Sequence, residues 1–329
     1  MKVLVTGGAG YIGSHAVREL RDAGHQVTVL DDLSQGHRAA VPADVPMVTA
    51  DLGDAAAVEE AVAGADAVMH FAGRLSVAES MADPFPYYSN NVAKGLVLLS
   101  VMEAAGVRRI VFSSTCATYG IPVTLPMDED HPQAPINPYG TTKRAFEGAL
   151  ADHARAGRLR AVALRYFNAA GCHPDGSLGE DHEPEVHLIP RAIDAALGRT
   201  DALTIHGEDY DTPDGTCIRD YIHVQDLARA HVLALEAMDR GEAYAAYNLG
   251  TGTGASVREV VKSVERVSGR KVPARVGPRR PGDPPRLVAS AERAARALGF
   301  RPAHQALDAM VETAYRWREA HPGGYGSAA

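Results

Sequence analysis

A glycine turn set between a strand and a helix constrains this chain most. Lys2-Val-Leu-Val-Thr6 is a short, mostly apolar run of the kind found in buried parallel strands. Gly7-Gly8-Ala9-Gly10-Tyr11-Ile12-Gly13 follows, a helical pattern runs from Ser14 to Ala23, and Gly24 stops it. The glycines satisfy both Gly8-x-Gly10-x-x-Gly13 and Gly7-x-x-Gly10-x-x-Gly13. Small residues there let backbone N–H groups approach a pyrophosphate at the helix N-terminus. A second strand, Gln26–Leu30, ends in Asp31, about 20 residues past the glycines, where a carboxylate accepts from adenosine ribose hydroxyls. Asp31 and Asp32 repel a 2′-phosphate, so NAD is expected and not NADP. A glycine turn that binds nothing is the competing reading. The order of strand, glycines, helix, strand and acid weighs against it.

The alternation continues. Ala55–Ala63 reads as helix, Ala67–Phe71 as strand, Ala93–Ala105 as helix, Arg109–Ser113 as strand, and Leu159–Leu164 as a further strand. Pro138 opens another helix, since proline is tolerated in a first turn. This order predicts an α/β fold, a doubly wound parallel (Rossmann) sheet with helices on both faces. Ligands then bind at the carboxyl ends of the strands. Asp31, Asp51, Phe71-Ala72-Gly73, Ser113-Ser114-Thr115 and Arg165–Asn168 lie at or just past such ends and are expected to line one crevice.

Past Asn168 the texture changes. Gly171–Pro190, rich in Gly, Pro, His and acids, reads as an ordered binding loop, with a flexible surface insertion as the alternative. His187–Leu197 and Asp226–Met238 read as helices, and Ser256-Val-Arg-Glu259 is a capping box for a helix to Ser268. Ser290 is expected to cap another helix, and Leu307–Glu319 closes the fold with Trp317 packed inside. The tail from Pro322 is expected to fray. A smaller, interleaved α/β substrate lobe is expected, with residues 1–167 and roughly 220–253 in the dinucleotide-binding domain. Residues 168–219 and 254–329 then form the lobe.

Tyr139 and Lys143, four apart on the helix that Pro138 opens, share a face. A nearby ammonium favours the phenolate of a group that ordinarily titrates near 10, which would give a general base. Tyr-x-x-x-Lys alone is a weak motif; the dinucleotide fingerprint upstream gives it weight.

Composition removes other classes. The net charge of −8 without a long basic run leaves no basis for nucleic-acid binding. No apolar stretch is long enough to span a bilayer and nothing reads as a signal peptide, so no membrane role and a cytoplasmic location are expected. Cys116, Cys172 and Cys217 are far apart and odd in number, which suggests free thiols. The 14 histidines are scattered without His-Glu-x-x-His spacing, so no metal is expected.

Nine blocks in order resemble the epimerase branch of the extended short-chain dehydrogenases, the NAD-dependent epimerase/dehydratase family. They are Thr6–His15, Phe112–Gly120, Tyr139-x-x-x-Lys143, Leu164–Asn168, Gly179–Asp181, His187–Pro190, Arg219–Val224, Tyr247–Gly250 and Arg279–Pro284. The glycines and the Tyr/Lys pair mark the superfamily. The blocks past residue 164 mark its nucleotide-sugar lobe. The resemblance implies reversible inversion at C4 of a UDP-hexose, UDP-glucose to UDP-galactose, by transient hydride transfer to tightly bound NAD. Tyr139 is the implied base, Lys143 holds the phenolate charge and the nicotinamide ribose, and Thr115 stands where the family carries a catalytic Ser or Thr. Gly7, Gly10, Gly13, Tyr11 and Ile12 are implied around the dinucleotide phosphates. Asp51 and Leu52 are implied beside adenine, Asn90 and Phe167 on the nicotinamide side, and Phe71, Ala72 and Gly73 against the cofactor. On the substrate, Arg219 and Arg280 match the diphosphate-binding arginines, Asp283 the uridine-ribose acceptor, and Asn168 and Leu188 the phosphate and sugar side. Read without the family, Arg219-Asp220 and Arg280/Asp283 are surface ion pairs. A homodimer through the helices 93–105 and 138–156 is also implied.

Two positions depart from the family pattern. Leu75, preceded by Arg74, stands where some members place a phosphate-reaching Lys. Leu287 stands at the gate beside the sugar's C2 substituent, intermediate between a bulky aromatic and a small residue, so acceptance of N-acetylhexosamines stays open. Another UDP-sugar 4-epimerase or a UDP-glucuronate-processing enzyme is the neighbouring alternative, and an inactive NAD-sensing module is one from a different class. Cys116-Ala117 after Thr115 lacks the Asp-Glu pair of the 4,6-dehydratases.

Overall fold

The computed structural model describes residues 1–280 and 282–327. Strands β1 (Lys2–Thr6), β2 (Gln26–Asp31), β3 (Met47–Thr49), β4 (Ala67–His70), β5 (Arg109–Thr115) and β6 (Arg160–Tyr166) come first. Then follow β7 (Asn168–Ala170), β8 (Leu203–His206), β9 (Ile218–Arg219), β10 (Tyr221–His223), β11 (Tyr244–Leu249), β12 (Ala255–Ser256), β13 (Ala274–Gly277) and β14 (Arg286–Leu287). Seven of them make one sheet in the order β11-β6-β5-β4-β1-β2-β3, all parallel. The chain steps outward from β1 to β3, then returns across β1 to β4, so the connections part beside β1 and open a crevice at the strands' carboxyl ends.

Alternation along β1 shows why the sheet is doubly wound. Val3 and Val5 pack with Val29, Met69 and Leu227 on one face, while Leu4 packs with Val68, Phe112 and Phe146 on the other. Helices Tyr11–Asp22 and Val224–Ala237 cover the first face, and Ala55–Val62, Lys94–Ala104 and Pro138–Arg155 the second. Strands buried on both faces must be apolar throughout, which is the pattern the sequence carries.

The short strands lie in small sheets. β7 pairs with β10, β8 with β13, and β9 lies between β12 and β14. Around them Ile189, Ile193, Val264, Met310 and Trp317 form a separate core. Strands of two to four residues are too short for periodicity to reveal, and the sequence reading lacks most of them.

Several boundaries shift for local reasons. The first helix begins at Tyr11 because Gly10 already caps it. β5 runs on to Thr115 because Ser114 and Thr115 pair with Arg165 and Tyr166 of β6. Ser256 and Glu259 do form the capping box. Ser290 caps nothing: the helix Glu292–Leu298 starts from Ala291 without a side-chain cap. The tail is not frayed over its described part. Tyr325 donates its N–H to Asp181 at 2.9 Å and stacks on His37 with centroids 5.0 Å apart. Residues 328–329 lie outside the described residues. No helix among the described residues is long and apolar enough to cross a membrane.

Candidate active site

The glycine turn is as tight as its residues allow. Gly7 takes φ +72°, and a Cβ there would stand 2.5 Å from the Ala72 nitrogen. A Cβ on Gly13 would stand 2.0 Å from the Gly7 carbonyl oxygen. Gly10 offers the helix Tyr11–Asp22 no side-chain cap, so the first-turn N–H groups of Tyr11, Ile12 and Gly13 face the crevice without a side-chain acceptor. Asp31, 8% exposed at the end of β2, accepts from Ala9 N and Leu33 N, each at 2.9 Å. Burial pushes its pKa up while those two N–H groups pull it down. Asp32 is exposed and accepts from Ser34 N at 2.9 Å. Leu33, which follows them, has φ 60°, a strained conformation for a branched residue. A tight turn, an uncapped helix start and a fixed carboxylate suit a dinucleotide.

The outer walls follow. Asp51 is held by Lys94 and by Gly53 N at 2.7 Å; burial opposes, but the Lys94 hydrogen bond keeps its carboxyl below the usual range. Leu52 is buried in the sheet's second core. Phe71, Ala72 and Gly73 continue from β4, and a Cβ on Gly73 would lie 3.5 Å from Lys143 Nζ. Asn90 is half-buried in the wide helical turn Ser89–Ala93.

Thr115 closes β5, 6% exposed, and caps the turn Cys116–Thr118 by accepting from Ala117 N at 3.1 Å. Asn137 caps the helix Pro138–Arg155 by accepting from Gly140 N at 2.8 Å. A Cβ on Gly140 would stand 2.3 Å from the Ala117 carbonyl oxygen, so this helix start sits against the Thr115 turn. Tyr139 is thereby brought beside Thr115, at 9% exposure. Burial pushes the Tyr139 phenol well above its ordinary value, against a smaller pull from the Thr115 hydroxyl. Lys143 Nζ donates to the Ser113 carbonyl at 3.0 Å and lies 4.8 Å from the centroid of the Phe112 ring. Burial lowers its pKa to about 8, with Glu147 opposing. The sequence expects this ammonium to lower the phenol's pKa. Burial instead dominates and moves the phenol the other way, and the Lys143 ammonium is turned to the β5 carbonyl of Ser113.

The remaining predicted residues lie past β6. Phe167 is 7% exposed and packs with Tyr119, Met127 and Ala289, and Cys116 and Leu287 pack against that group. Asn168 starts β7 and donates its N–H to Asp220 O at 3.0 Å. Leu188 is the first residue of the helix Leu188–Ala196. Arg219 on β9 pairs with Asp283 through Nη2 and donates Nη1 to Ile218 O at 2.7 Å. Leu287 is its register partner on β14. Neither of the surface ion pairs that the reading without the family allows, Arg219–Asp220 and Arg280–Asp283, forms. Asp220 is fully buried and accepts from Thr251 N, Gly252 N and Ala289 N, while Asp283 takes Arg219 and not Arg280. Arg280 is exposed. Leu75 is 40% exposed, and Arg74 is turned to Glu79 at 2.8 Å.

Sequence reading misses the supports beneath these groups. Asn91, next to the expected Asn90, accepts from Arg74 N at 2.8 Å and donates to Thr142 Oγ1 at 3.2 Å, fixing the wall after β4. Glu147, one turn past Lys143, accepts from Ser114 Oγ at 2.5 Å and from Arg165. A buried acid at i+4 from a functional Lys was the available clue. Glu180, His182, Glu185 and His187 also draw together inside the loop before Leu188. Their Glu-x-His-x-x-Glu-x-His spacing was visible, but it is not a helical metal motif.

Residues 3–250 match the NAD dependent epimerase/dehydratase family. A UDP-glucose 4-epimerase of Azospirillum brasilense is 53% identical over 318 residues, 96% of this chain and 91% of that protein. The crystal structure of UDP-glucose 4-epimerase from Brucella ovis in complex with NAD superposes with a TM-score of 0.93 at 51% identity, covering 96% of this chain and 97% of the other. The UDP-glucose 4-epimerase from Bifidobacterium longum in complex with NAD+ and UDP gives a TM-score of 0.94 at 40% identity, covering 98% of this chain and all of the other (100%).

Proposed function

The chain belongs to the NAD dependent epimerase/dehydratase family, and on that premise we propose that it interconverts UDP-glucose and UDP-galactose at the crevice just described. The observation that carries this reading is the meeting of Thr115, Tyr139 and Lys143 at the end of β5, with the glycine turn on one side and the Arg219/Asp283 strip on the other. The enzyme is an NAD-dependent isomerase. Bound NAD supplies a reversible store for the C4 hydride.

The chain's own residues do the rest. The Gly7–Gly13 turn and the N–H groups of Tyr11 and Ile12 hold the pyrophosphate, and Asp31, Asp32, Asp51 and Leu52 hold the adenosine half. Residues 71–73, Asn90 and Phe167 enclose the nicotinamide half. Tyr139 Oη takes the proton from the sugar 4-hydroxyl and returns it after inversion. A buried neutral phenol serves as base only if positive charge faces it. Lys143 and a cationic cofactor ring supply that charge when both are in place. Thr115 Oγ1 bridges the sugar oxygen and Tyr139. Arg219 and Arg280 grip the diphosphate, Asp283 accepts from the uridine ribose, and Asn168 and Leu188 border the sugar. With the diphosphate fixed, the hexose turns and presents its other face to the same Tyr139.

The dinucleotide-binding part is residues 1–167 with about 220–253, and the sugar lobe is 168–219 with 254–329. A homodimer forms through helices Lys94–Ala104 and Pro138–Arg155, where Leu96 leaves 43% of its surface exposed. The test is to offer purified protein UDP-galactose deuterated at C4, without added NAD. Retention of deuterium at C4 of the UDP-glucose formed is expected. Full loss of label to water, or no conversion by NAD-loaded protein, overturns the reading.

A further inference from the structure

The loop ahead of Leu188 carries an arrangement that the epimerase chemistry does not use. Glu180 Oε1, His182 Nδ1, Glu185 Oε2 and His187 Nδ1 are all buried and all lack a hydrogen-bond partner. One ligand atom from each of these residues falls within 4.8 Å of the others. His187 Nδ1 lies 2.7 Å from Glu180 Oε1, His182 Nδ1 lies 3.5 Å from the same oxygen, and His182 Nδ1 lies 3.8 Å from Glu185 Oε2. None of these contacts meets hydrogen-bond geometry, yet the four ligand atoms stay gathered within 4.8 Å of one another. Tetrahedral ligands about 2.0 Å from an ion stand about 3.3 Å apart, and the observed separations bracket that value.

We propose that Glu180, His182, Glu185 and His187 hold one divalent first-row transition-metal ion of the zinc class. Two imidazoles and two carboxylates are a zinc-type donor set, and two carboxylate charges balance a dication. Magnesium and calcium are disfavoured because both prefer all-oxygen ligands. The second oxygen of Glu185 is already oriented, accepting from Val186 N at 2.8 Å and His187 N at 2.9 Å. Arg318 Nη1 stands 3.6 Å from Glu185 Oε2 and donates to Glu180 O at 3.3 Å, which steadies the cluster from outside. The Tyr11 ring lies edge-on to His182 with centroids 6.1 Å apart, and His187 immediately precedes Leu188. An ion here ties the glycine turn to the start of the helix Leu188–Ala196, a structural role separate from hydride transfer.

Zinc sulfate titrated into chelator-dialysed, NAD-loaded protein tests this. One zinc per chain is expected, with X-ray absorption showing nitrogen and oxygen ligands at about 2.0 Å and no sulfur. Magnesium should not compete. Glu180→Gln and His182→Ala should each weaken zinc at least about 100-fold, while His153→Ala, on the helix Pro138–Arg155, should bind as the parent does. Zinc should raise the melting temperature of the parent by several degrees and leave that of His182→Ala unchanged. If His182→Ala misfolds by circular dichroism, Glu185→Gln is read in its place. Substoichiometric zinc, or zinc retained by both Glu180→Gln and the histidine-site variant, overturns the proposal and leaves a histidine–glutamate ion-pair cluster.

Discussion

Arg165 closes on Glu147 through Nε and Nη2, the nearest contact at 2.6 Å, with the two side chains 6% and 3% exposed. Ser114 Oγ and Gln133 Nε2 donate to the same carboxylate, at 2.5 and 3.2 Å. The pair joins the helix Pro138–Arg155 to β5 and β6 one turn past Lys143, so it fixes where the candidate site stands relative to the sheet.

Removing one partner leaves the other charged and buried. Arg165→Met is expected to destabilise the fold by about 3–5 kcal/mol, and Glu147→Gln by a similar amount. Denaturant unfolding of the two variants measures this, and a change below about 1 kcal/mol in both would contradict the buried-pair reading.

Tyr139→Phe keeps the ring and its packing and removes the acid proton. Turnover is expected to fall by about 10²–10⁴ while NAD content stays at the parent level. Cofactor absorbance and product formation read the two separately, and parental turnover would rule out Tyr139 as base.

Gly13→Ala puts a methyl 2.0 Å from the Gly7 carbonyl oxygen, in a turn with no slack. The turn must open, and the protein is expected to purify with less than about a tenth of its NAD while retaining a folded sheet by circular dichroism. Full NAD content would show that the turn does not hold the pyrophosphate.

Acid should destabilise the fold well before carboxylates protonate. Burial lowers His15 and His231 to about 4 and His70 and His223 to about 3, with Lys143 adding to the effect at His70. Their unfolded value is about 6.5, so below it the unfolded chain binds more protons than the folded one. The contribution of these four rings is therefore complete above about 6.5 and falls as pH drops toward 4, by about 1.4 kcal/mol per pH unit per histidine. Urea unfolding at pH 7.5, 6 and 5 checks this; a flat profile would mean the four rings are not held neutral.

Leu287 faces the strip formed by Arg219 and Phe167. Leu287→Tyr is expected to lower kcat/KM for UDP-N-acetylglucosamine at least about tenfold more than for UDP-galactose, as a steric block at C2 requires. Equal losses on both substrates would remove Leu287 from the gate.

Much of this architecture was readable in the residues. Strands buried on both faces leave continuous apolar runs, and a turn that admits only glycine leaves glycines, so β1, Gly7, Gly13 and Asp31 could be found by eye. The shared helix face of Tyr139 and Lys143 was readable too, but the direction of the Lys143 ammonium was not, because it depends on a carbonyl 30 positions away in β5. Arg219 illustrates the same limit. Adjacency allowed Asp220 as its partner, yet Asp220 is drawn inward by three backbone N–H groups that only the folded loops assemble. The Glu180–His187 cluster escaped because its spacing belongs to no regular element and closes only when the loop folds back on itself.

The chain leaves the large sheet at Tyr166 and enters the small β7/β10 sheet at Asn168, so a single residue, Phe167, separates the two frameworks. That single-residue step sets, through the backbone itself, the spacing between the wall that follows β5 and β6 and the wall built on β7 and β10.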